Sequence, residues 1–182
     1  MIFRTLALLP LCAALAFAAD AGERRFDCTV VAIHDDASLG CRLPGANKAL
    51  RIQLNAVELP AAEPWRRRAR EALEDMLLGK SATIREQGRD ARFRILGAAW
   101  VTPADCPTCG HTLDAGLALL TIGLASWRDA PDSGQTAEAR GQYRFAEEEA
   151  RARKAGQWRP RDAAPRFCTK STAVGTAVCR PA

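Results

Sequence analysis

Short runs of β-branched and aliphatic residues, separated by polar or Gly/Pro turns, dominate the chain from Phe26 onwards. Runs of this length and composition are typical of strands. Polar stretches at 34–38 and 44–48 mark turns between the first three runs. The pattern therefore predicts five strands, over 26–34, 39–44, 48–59, 81–87 and 92–101.

Apolar residues at helical spacing predict three helices, over 63–80, 114–127 and 143–158. Pro64 suits the first turn of the first helix and Gly79 ends its pattern, while Gly123 breaks the second helix and the third ends near Gly156. Three strands, a helix, two strands and two helices is the order of an OB-type barrel. We therefore predict an α+β fold, a five-stranded OB-type β-barrel with three helices.

The first residues have a different character. Arg4 precedes an apolar run over 6–17, and Ala16 and Ala18 form a small-x-small cleavage site. A membrane anchor is the alternative interpretation, but the run is too short to span ~30 Å of hydrocarbon. Residues 1–18 are thus predicted to be a secretory signal peptide, followed by no transmembrane segment. We expect a monomer that is periplasmic or secreted.

Seven cysteines are present, and removal of the signal peptide with Cys12 leaves an even set of six. An even set in an exported chain predicts a disulfide-braced fold. Cys28 and Cys41 bracket the first hairpin, where a bridge is geometrically easy. Cys106 and Cys109 suit a redox motif, part of a zinc site, or a local structural disulfide, and we favour the last. Cys168 would then pair with Cys179, although exchange between these two pairs stays open.

Charge adds a class of partner. Lysine and arginine number 26 against 21 acidic residues, a formal net charge of +5. Arginines cluster at 66–70 and 151–153. Such a surface favours polyanions: nucleic acid, acidic polysaccharide or anionic lipid headgroups.

Several strings in this order resemble the staphylococcal nuclease (thermonuclease-like) family. The strings are VVAIHDD, RIQLNAVELP and GRDARFRILGAAWV, followed by the last two predicted helices, the second of which ends on Gly-x-Trp. The resemblance implies a domain over 26–160, followed by a cysteine-containing tail over 161–182. It also implies calcium-dependent phosphodiester hydrolysis of DNA or RNA. In that family two aspartates hold the ion, a glutamate activates water, and two arginines grip the phosphate.

The acidic part of the family site is altered in this chain. The first metal aspartate falls on Asp36, or on Asp35 if the deletion in the turn lies differently, and the turn lacks the family's glycine. The second falls on Glu58, which is one methylene longer. Ala61 occupies the position of the general base. Glu63 either replaces that base through a re-routed loop or is an ordinary residue at the start of a helix.

The phosphate-binding part is altered as well. The first family arginine aligns with Gln53. Arg51 lies about 6–7 Å along the same strand face, so it either reaches the site through a bulge or is a solvated strand residue. The second family arginine falls on Arg94. His34 beside the turn is either solvated or a ligand for metal or phosphate.

Three functions follow as hypotheses. The first is an exported calcium-dependent nuclease with an altered site that uses Asp36, Glu58, Arg94 and Glu63. The second is a non-catalytic module that binds nucleic acid or another polyanion such as acidic exopolysaccharide. The third is an envelope assembly factor. Loss of the base and of one arginine predicts that hydrolysis is weak or lost.

Overall fold

The structure, a computed structural model, describes residues 24–130 and 133–160, and the backbone alone of 167–170 and 177–180. The predicted signal peptide lies outside the described residues. Within the described part of the chain, no helix is both long and apolar enough to cross a membrane.

Five strands form a closed barrel, as predicted. They are β1 (Arg25–Ile33), β2 (Ser38–Arg42), β3 (Ala49–Leu54), β5 (Ser81–Arg89) and β6 (Ile95–Val101). Neighbours pair antiparallel in the order β3-β2-β1-β5-β6, and a parallel pairing of β3 with β6 closes the ring. Side chains alternate between the interior and the surface, so Val30, Ile52 and Ile84 are fully buried in the core.

Short strands extend this barrel. β4 (Val57–Glu58) pairs with β8 (Ser126–Trp127), and β7 (Leu113–Asp114) pairs with the end of β6. In the tail, β9 (Phe167–Lys170) and β10 (Ala177–Arg180) form a separate two-stranded ladder. These short pairings fix where the loops around the barrel mouth leave the sheet.

The first helix is α1 (Trp65–Leu77), close to its predicted bounds. Ala69, Leu73 and Leu77 recur every four residues, and all three are fully buried. This stripe packs onto the barrel, while the arginines of the opposite face lie in solvent.

The second helix is shorter than predicted. The apolar pattern indicated 114–127, but α2 spans Ala115–Thr121. Gly123 follows in the left-handed region at φ 72°, and a Cβ there would lie 2.4 Å from the carbonyl oxygen of Ala155. The close approach of the chain after the third helix therefore ends α2, and only glycine fits at that point.

The third helix starts earlier than predicted. α3 spans Ala137–Ala152, whereas the predicted helix began at 143. The side chain of Thr136 accepts a hydrogen bond from the backbone N–H of Ala139 at 3.1 Å, an N-cap that starts the helix within the supposedly irregular polar connector. Beyond α3, Gly156–Trp158 forms a 3₁₀ turn instead of the end of the helix.

Two of the predicted disulfides are present. Cys28 and Cys41 bridge β1 and β2 with their Cα atoms 5.5 Å apart. Cys106 and Cys109 are bridged within the loop before β7, with Cα atoms 5.4 Å apart. The local pairing of Cys106 with Cys109 is therefore present, in place of an exchange with the tail cysteines. The side chains of the third predicted pair lie outside the described residues, although Cys168 and Cys179 are opposite each other in the backbone register of β9 and β10.

Candidate functional site

An open cleft of about 540 Å³ lies where the β1–β2 turn, the start of β4 and the β5–β6 turn meet. Its apolar lining comes from Leu54, Val57, Leu59 and Leu96. Its polar lining holds four carboxylates, two arginines and an amide: Asp35, Asp36, Glu58, Asp90, Arg94, Arg128 and Gln53. Most of the residues predicted to form a site therefore share one surface.

Asp36 is held by its own turn. Its Oδ1 accepts hydrogen bonds from the backbone N–H of Ser38 at 3.2 Å and from the Ser38 hydroxyl at 2.6 Å. The side-chain amide of Gln53 donates to the Asp36 carbonyl at 2.6 Å. Ala37 takes φ 60°, a left-handed conformation in the turn that lacks the family's glycine. These contacts aim the Asp36 carboxylate at the cleft.

Arg51 of β3 and Arg94 of the β5–β6 turn meet at one oxygen of Asp36. Arg51 Nη2 lies 3.0 Å from Asp36 Oδ2, and Arg94 Nη1 lies 3.5 Å from the same atom. Arg51 also donates through Nε to the Ser38 hydroxyl at 2.8 Å. Partial burial raises the pKa of Asp36, but the hydrogen bonds from Ser38 and Arg51 outweigh burial and hold this pKa below its usual value. The carboxylate is therefore ionised at neutral pH.

One alternative from the sequence was that Arg51 is a solvated strand residue. In the structure, its guanidinium instead pairs with Asp36. The pairing of β2 with β3 runs without a register shift, so no bulge delivers its guanidinium to the site. The long side chain instead reaches Ser38 and Asp36 at the β1–β2 turn. Its guanidinium is half exposed and lies at the margin of the cleft: Arg51 is not among the described residues that line it, but it shares Asp36 Oδ2 with Arg94.

Asp90 fixes the position of Arg94. Its Oδ2 accepts a hydrogen bond from Arg94 Nε at 2.7 Å, and its Oδ1 accepts from the backbone N–H groups of Arg92 and Arg94, both at 2.9 Å. The slight desolvation of Asp90 raises its pKa, but the hydrogen bonds from Arg94 and Arg92 hold it below the usual value. A rigid turn thus presents the Arg94 guanidinium to the cleft.

Each of the four cleft carboxylates has an arginine partner. Besides Asp36 and Asp90, these pairs are Glu58 with Arg128 at 3.7 Å and Asp35 with Arg70 at 3.1 Å. The Glu58 side chain is 59% exposed, so its ion pair is weak. Each of these four carboxylates therefore balances the charge of an arginine, and none of them is left unpaired to act as a general base.

Glu63 lies at the start of α1. Its carboxylate accepts a hydrogen bond from the backbone N–H of Arg67 at 3.4 Å, and Glu63 is not among the described residues that line the cleft. Ala61, which the sequence resemblance aligns with the family's base, is exposed and carries no ionisable group. The contacts of Glu63 are those of a residue that caps its helix.

The described carboxylates do not form a calcium cage as they stand. Calcium takes six to eight oxygen ligands, several of them anionic. Among the described residues, no three His, Cys, Asp or Glu side chains converge as a metal site requires. Asp36 offers both oxygens to Ser38 and the two arginines, and Glu58 faces Arg128. These residues do not fit the ion without breaking pairs that the structure contains.

The two histidines lie elsewhere. His34 belongs to the β1–β2 turn, where its backbone N–H donates to the Ser38 carbonyl at 2.9 Å. His111 Nδ1 lies 2.7 Å from the Thr83 hydroxyl on the barrel wall. Neither is among the described residues that line the cleft.

Sequence reasoning did not assign a role to Ser38, Asp90 or Arg128. The sequence placed Ser38 in a polar turn, yet it is fully buried and bridges Arg51 to Asp36. Asp90 precedes Arg94 by four residues, a spacing that was visible in the resembling string. Arg128 follows β8 directly, and no local signal connects it with Glu58, which is distant in sequence.

A comparison with protein-family models matches residues 42–160 to the staphylococcal nuclease homologue family. The match covers well over half of the chain and includes the cleft from Gln53 to Arg128. The chain belongs to the staphylococcal nuclease homologue family. A comparison with curated proteins gives no match. β1 and the Asp36 turn precede the matched residues, but they complete the same barrel.

Proposed function

We propose that this member of the family binds the phosphodiester chain of nucleic acid in the cleft, with Arg51 and Arg94 as the phosphate-binding pair, and that it hydrolyses that chain weakly or not at all. One observation carries the proposal: two guanidinium groups converge on a single anionic oxygen, Asp36 Oδ2, at 3.0 and 3.5 Å. That oxygen marks a position where the protein stabilises negative charge.

A bound phosphate would contact the same two guanidinium groups, those of Arg51 and Arg94. Bidentate guanidinium groups match the geometry of phosphate oxygens, and both arginines are partly exposed, at 51% and 33% of their side-chain surface. An incoming phosphate therefore reaches them without unfolding any element. Asp36 occupies donors of both arginines in the structure, so an incoming phosphate has to compete with it, while Ser38 continues to hold the other carboxylate oxygen.

The described residues leave no carboxylate of the cleft without an arginine partner, and this supports weak hydrolysis. Attack on a phosphodiester needs a group that positions and deprotonates water, and such a group contributes about 10²–10⁴-fold. Each of the four cleft carboxylates has an arginine partner, and Glu63 contacts its own helix. Electrostatic stabilisation by Arg51 and Arg94 alone would leave a slow enzyme.

We further propose that the protein is exported to the periplasm or beyond, with residues 1–18 removed as a signal peptide. Two disulfides among the described residues are compatible with an oxidising compartment. Fractionation of cells that express the whole chain, with N-terminal sequencing of the product, tests this. A product in the cytoplasm that begins at Met1 would overturn it.

Binding and cleavage are best measured together on purified, oxidised protein. Fluorescence anisotropy with labelled single-stranded DNA, RNA, duplex DNA and an acidic polysaccharide, at several salt concentrations, reports affinity. Gel analysis of the same nucleic acids with calcium or with chelator reports cleavage. We expect salt-sensitive binding to nucleic acid and little cleavage. The slope of log Kd against log salt should fall by about one for each of Arg51→Ala and Arg94→Ala.

Arg144→Ala is the matched control, because Arg144 is an exposed arginine on α3 away from the cleft. Efficient calcium-dependent cleavage that Asp36→Ala abolishes would overturn the weak-hydrolysis part and favour the nuclease with an altered site. Binding confined to the acidic polysaccharide would overturn the choice of nucleic acid. If none of the polyanions bound, the phosphate-binding site would be wrong and a role in envelope assembly would gain.

A further inference from the structure

The turn between β5 and β6 presents an aromatic ring to solvent. Phe93 is 81% exposed, the highest value among the large hydrophobic side chains that the described residues leave exposed. A phenylalanine usually stabilises a protein by leaving water. Here the ring contributes little of that stabilisation, although it lies next to Arg94 in the chain.

The backbone of Phe93 is unfavourable as well. Its φ is 60°, in the left-handed region that a side chain makes costly. The backbone N–H of Phe93 donates to Asp90 O at 2.9 Å and that of Asp90 donates to Arg94 O at 3.0 Å, which closes a short hairpin turn. Glycine is the residue that such a turn favours at its left-handed position. A bulky side chain with neither packing nor backbone preference in its favour points to a function.

Hydrogen bonds fix the backbone of the turn that carries this ring. Asp90 accepts from two backbone N–H groups and from Arg94 Nε within the turn. Arg89 Nη1 donates to the Phe93 carbonyl at 3.2 Å. Because the backbone is already ordered, only the side-chain torsions of Phe93 lose conformational entropy when a ligand stacks on the ring.

Three arginines lie close to Phe93 in the chain. Arg89 ends β5, Arg92 and Arg94 flank Phe93 in the turn, and Arg94 lines the cleft together with Asp90. Positive charge that follows a phosphate backbone, combined with an exposed aromatic face, is how proteins hold single-stranded nucleic acid. In a duplex the bases are already stacked and are not free to lie on the ring.

We propose that Phe93 stacks on an unpaired base of a single strand whose neighbouring phosphate is held by Arg94 and Arg51. The ligand class is therefore single-stranded DNA or RNA, not duplex or polysaccharide. This inference rests on the proposed phosphate-binding function of the cleft. It adds Phe93 as a residue through which binding depends on the presence of unpaired bases.

The test compares a labelled oligothymidylate with an abasic strand of the same length, which keeps the phosphates and removes the bases. Anisotropy is measured for the wild type and for Phe93→Ala, Phe93→Gly and Phe93→Trp. We expect Phe93→Ala and Phe93→Gly to bind oligothymidylate roughly 5- to 150-fold more weakly, the range that loss of one stacked base spans. Both should bind the abasic strand as the wild type does, and Phe93→Trp should restore affinity for oligothymidylate.

Phe93→Gly also guards against misfolding, because glycine suits the left-handed backbone and should raise the Tm. Arg94→Ala separates the two proposals, since it should weaken binding of both strands. If the wild type binds neither strand, the proposed function itself fails. If it binds both strands equally and Phe93→Ala changes nothing, phosphate binding stands and stacking is wrong. If the protein bound anionic lipid vesicles through Phe93 and showed no preference for the strand that carries bases, the stacking proposal would also be wrong.

Discussion

Two aspartates show how differently the cleft and the contact between α2 and α3 use a carboxylate. In that contact, Asp114 is 7% exposed and caps α2 by accepting from the backbone N–H groups of Gly116 and Leu117 at 2.9 and 3.2 Å. It also accepts from the Tyr143 hydroxyl on α3 at 2.9 Å. In the cleft, the Asp36 side chain is 45% exposed, and its partners include two charged arginines besides Ser38.

Their pKa values move in opposite directions. Burial raises the pKa of Asp114, and its hydrogen bonds offset this only in part. Burial is also the largest influence on Asp36, yet the hydrogen bonds from Ser38 and Arg51 together lower the pKa. A raised pKa is often used as a sign of an active site. Here the raised pKa marks a helix cap whose backbone and hydroxyl donors belong to two packed helices. The exposed arginines that pair with Asp36 can instead transfer to an incoming anion.

The largest expected effect breaks the contact between the helices. Asp114→Ala removes the N-cap, worth about 1 kcal/mol, and leaves the buried Tyr143 hydroxyl without its acceptor, which adds about 1–3 kcal/mol. We expect the free energy of unfolding to fall by about 2–4 kcal/mol, measured by urea denaturation followed by circular dichroism.

Tyr143→Phe is the matched variant, since it removes one donor, keeps the cap and should lower the free energy of unfolding by only about 1 kcal/mol. Nucleic-acid affinity of the protein that remains folded should not change in either variant. If Asp114→Ala proved as stable as the wild type but bound nucleic acid poorly, the division between a structural and a functional aspartate would be wrong.

The next effect falls on the cleft. Arg94→Ala should weaken binding of single-stranded DNA about 10- to 100-fold, because a hydrogen bond to a charged group is worth about 1.5–3 kcal/mol. The free energy of unfolding should change by less than about 1 kcal/mol, since the lost ion pairs are partly exposed. Anisotropy and urea denaturation on the same samples measure the two quantities.

Arg94→Lys keeps the charge but not the fork of donors, so its affinity should lie between those of the wild type and Arg94→Ala. A lysine variant that binds as tightly as the wild type would show that Arg94 contributes net charge alone. Unchanged affinity in Arg94→Ala would remove Arg94 from the site.

The barrel was predictable because its signals are local. Buried positions alternate with surface positions along β1 and β5, and polar turns separate the strands. The bounds of α2 were not predictable, because Gly123 ends it through a close approach to Ala155, far along the chain. The start of α3 was available in the sequence as Thr136 before Glu138, an N-cap with an acidic first turn, but the surrounding polar residues suggested a loop.

The candidate site divides in the same way. Asp36 and Arg94 were placed from single strings that surround them. The pairing of every cleft carboxylate with an arginine was not predictable, because Arg70 and Arg128 come from other elements. The strand spacing did not predict that the long side chain of Arg51 extends along the face of β3 to the Ser38 hydroxyl. No local pattern in the sequence marks the ring of Phe93, which the structure exposes in the turn between β5 and β6.

A smaller effect sharpens the role of Asp36. If Asp36 competes with phosphate for the arginines, Asp36→Asn should bind single-stranded DNA about 1.5- to 5-fold more tightly, the worth of an exposed ion pair. Asp35→Asn is the matched control: it changes the net charge equally but releases Arg70 instead of Arg51 and Arg94. Equal gains in both variants would reduce the effect to net charge, and weaker binding by Asp36→Asn would contradict the competition.

The smallest effect concerns pH. The folded-state pKa of Asp36 lies below its usual value of 3.8, so its ion pairs stabilise the fold above that value and are lost as the pH falls through the folded pKa. The wild type should therefore be more stable than Asp36→Asn at pH 6, and this difference should shrink between about pH 4 and 2. Asp90→Asn should behave alike, because the pKa of Asp90 is lowered by the same kind of partner. Urea denaturation across this pH range measures the difference.

For Asp114 we expect the opposite dependence of stability on pH, because its raised pKa means that ionisation opposes folding as the pH rises. If the difference between wild type and Asp36→Asn instead grew on acidification, Asp36 would resemble Asp114, and the exchangeable character of the cleft would have to be abandoned.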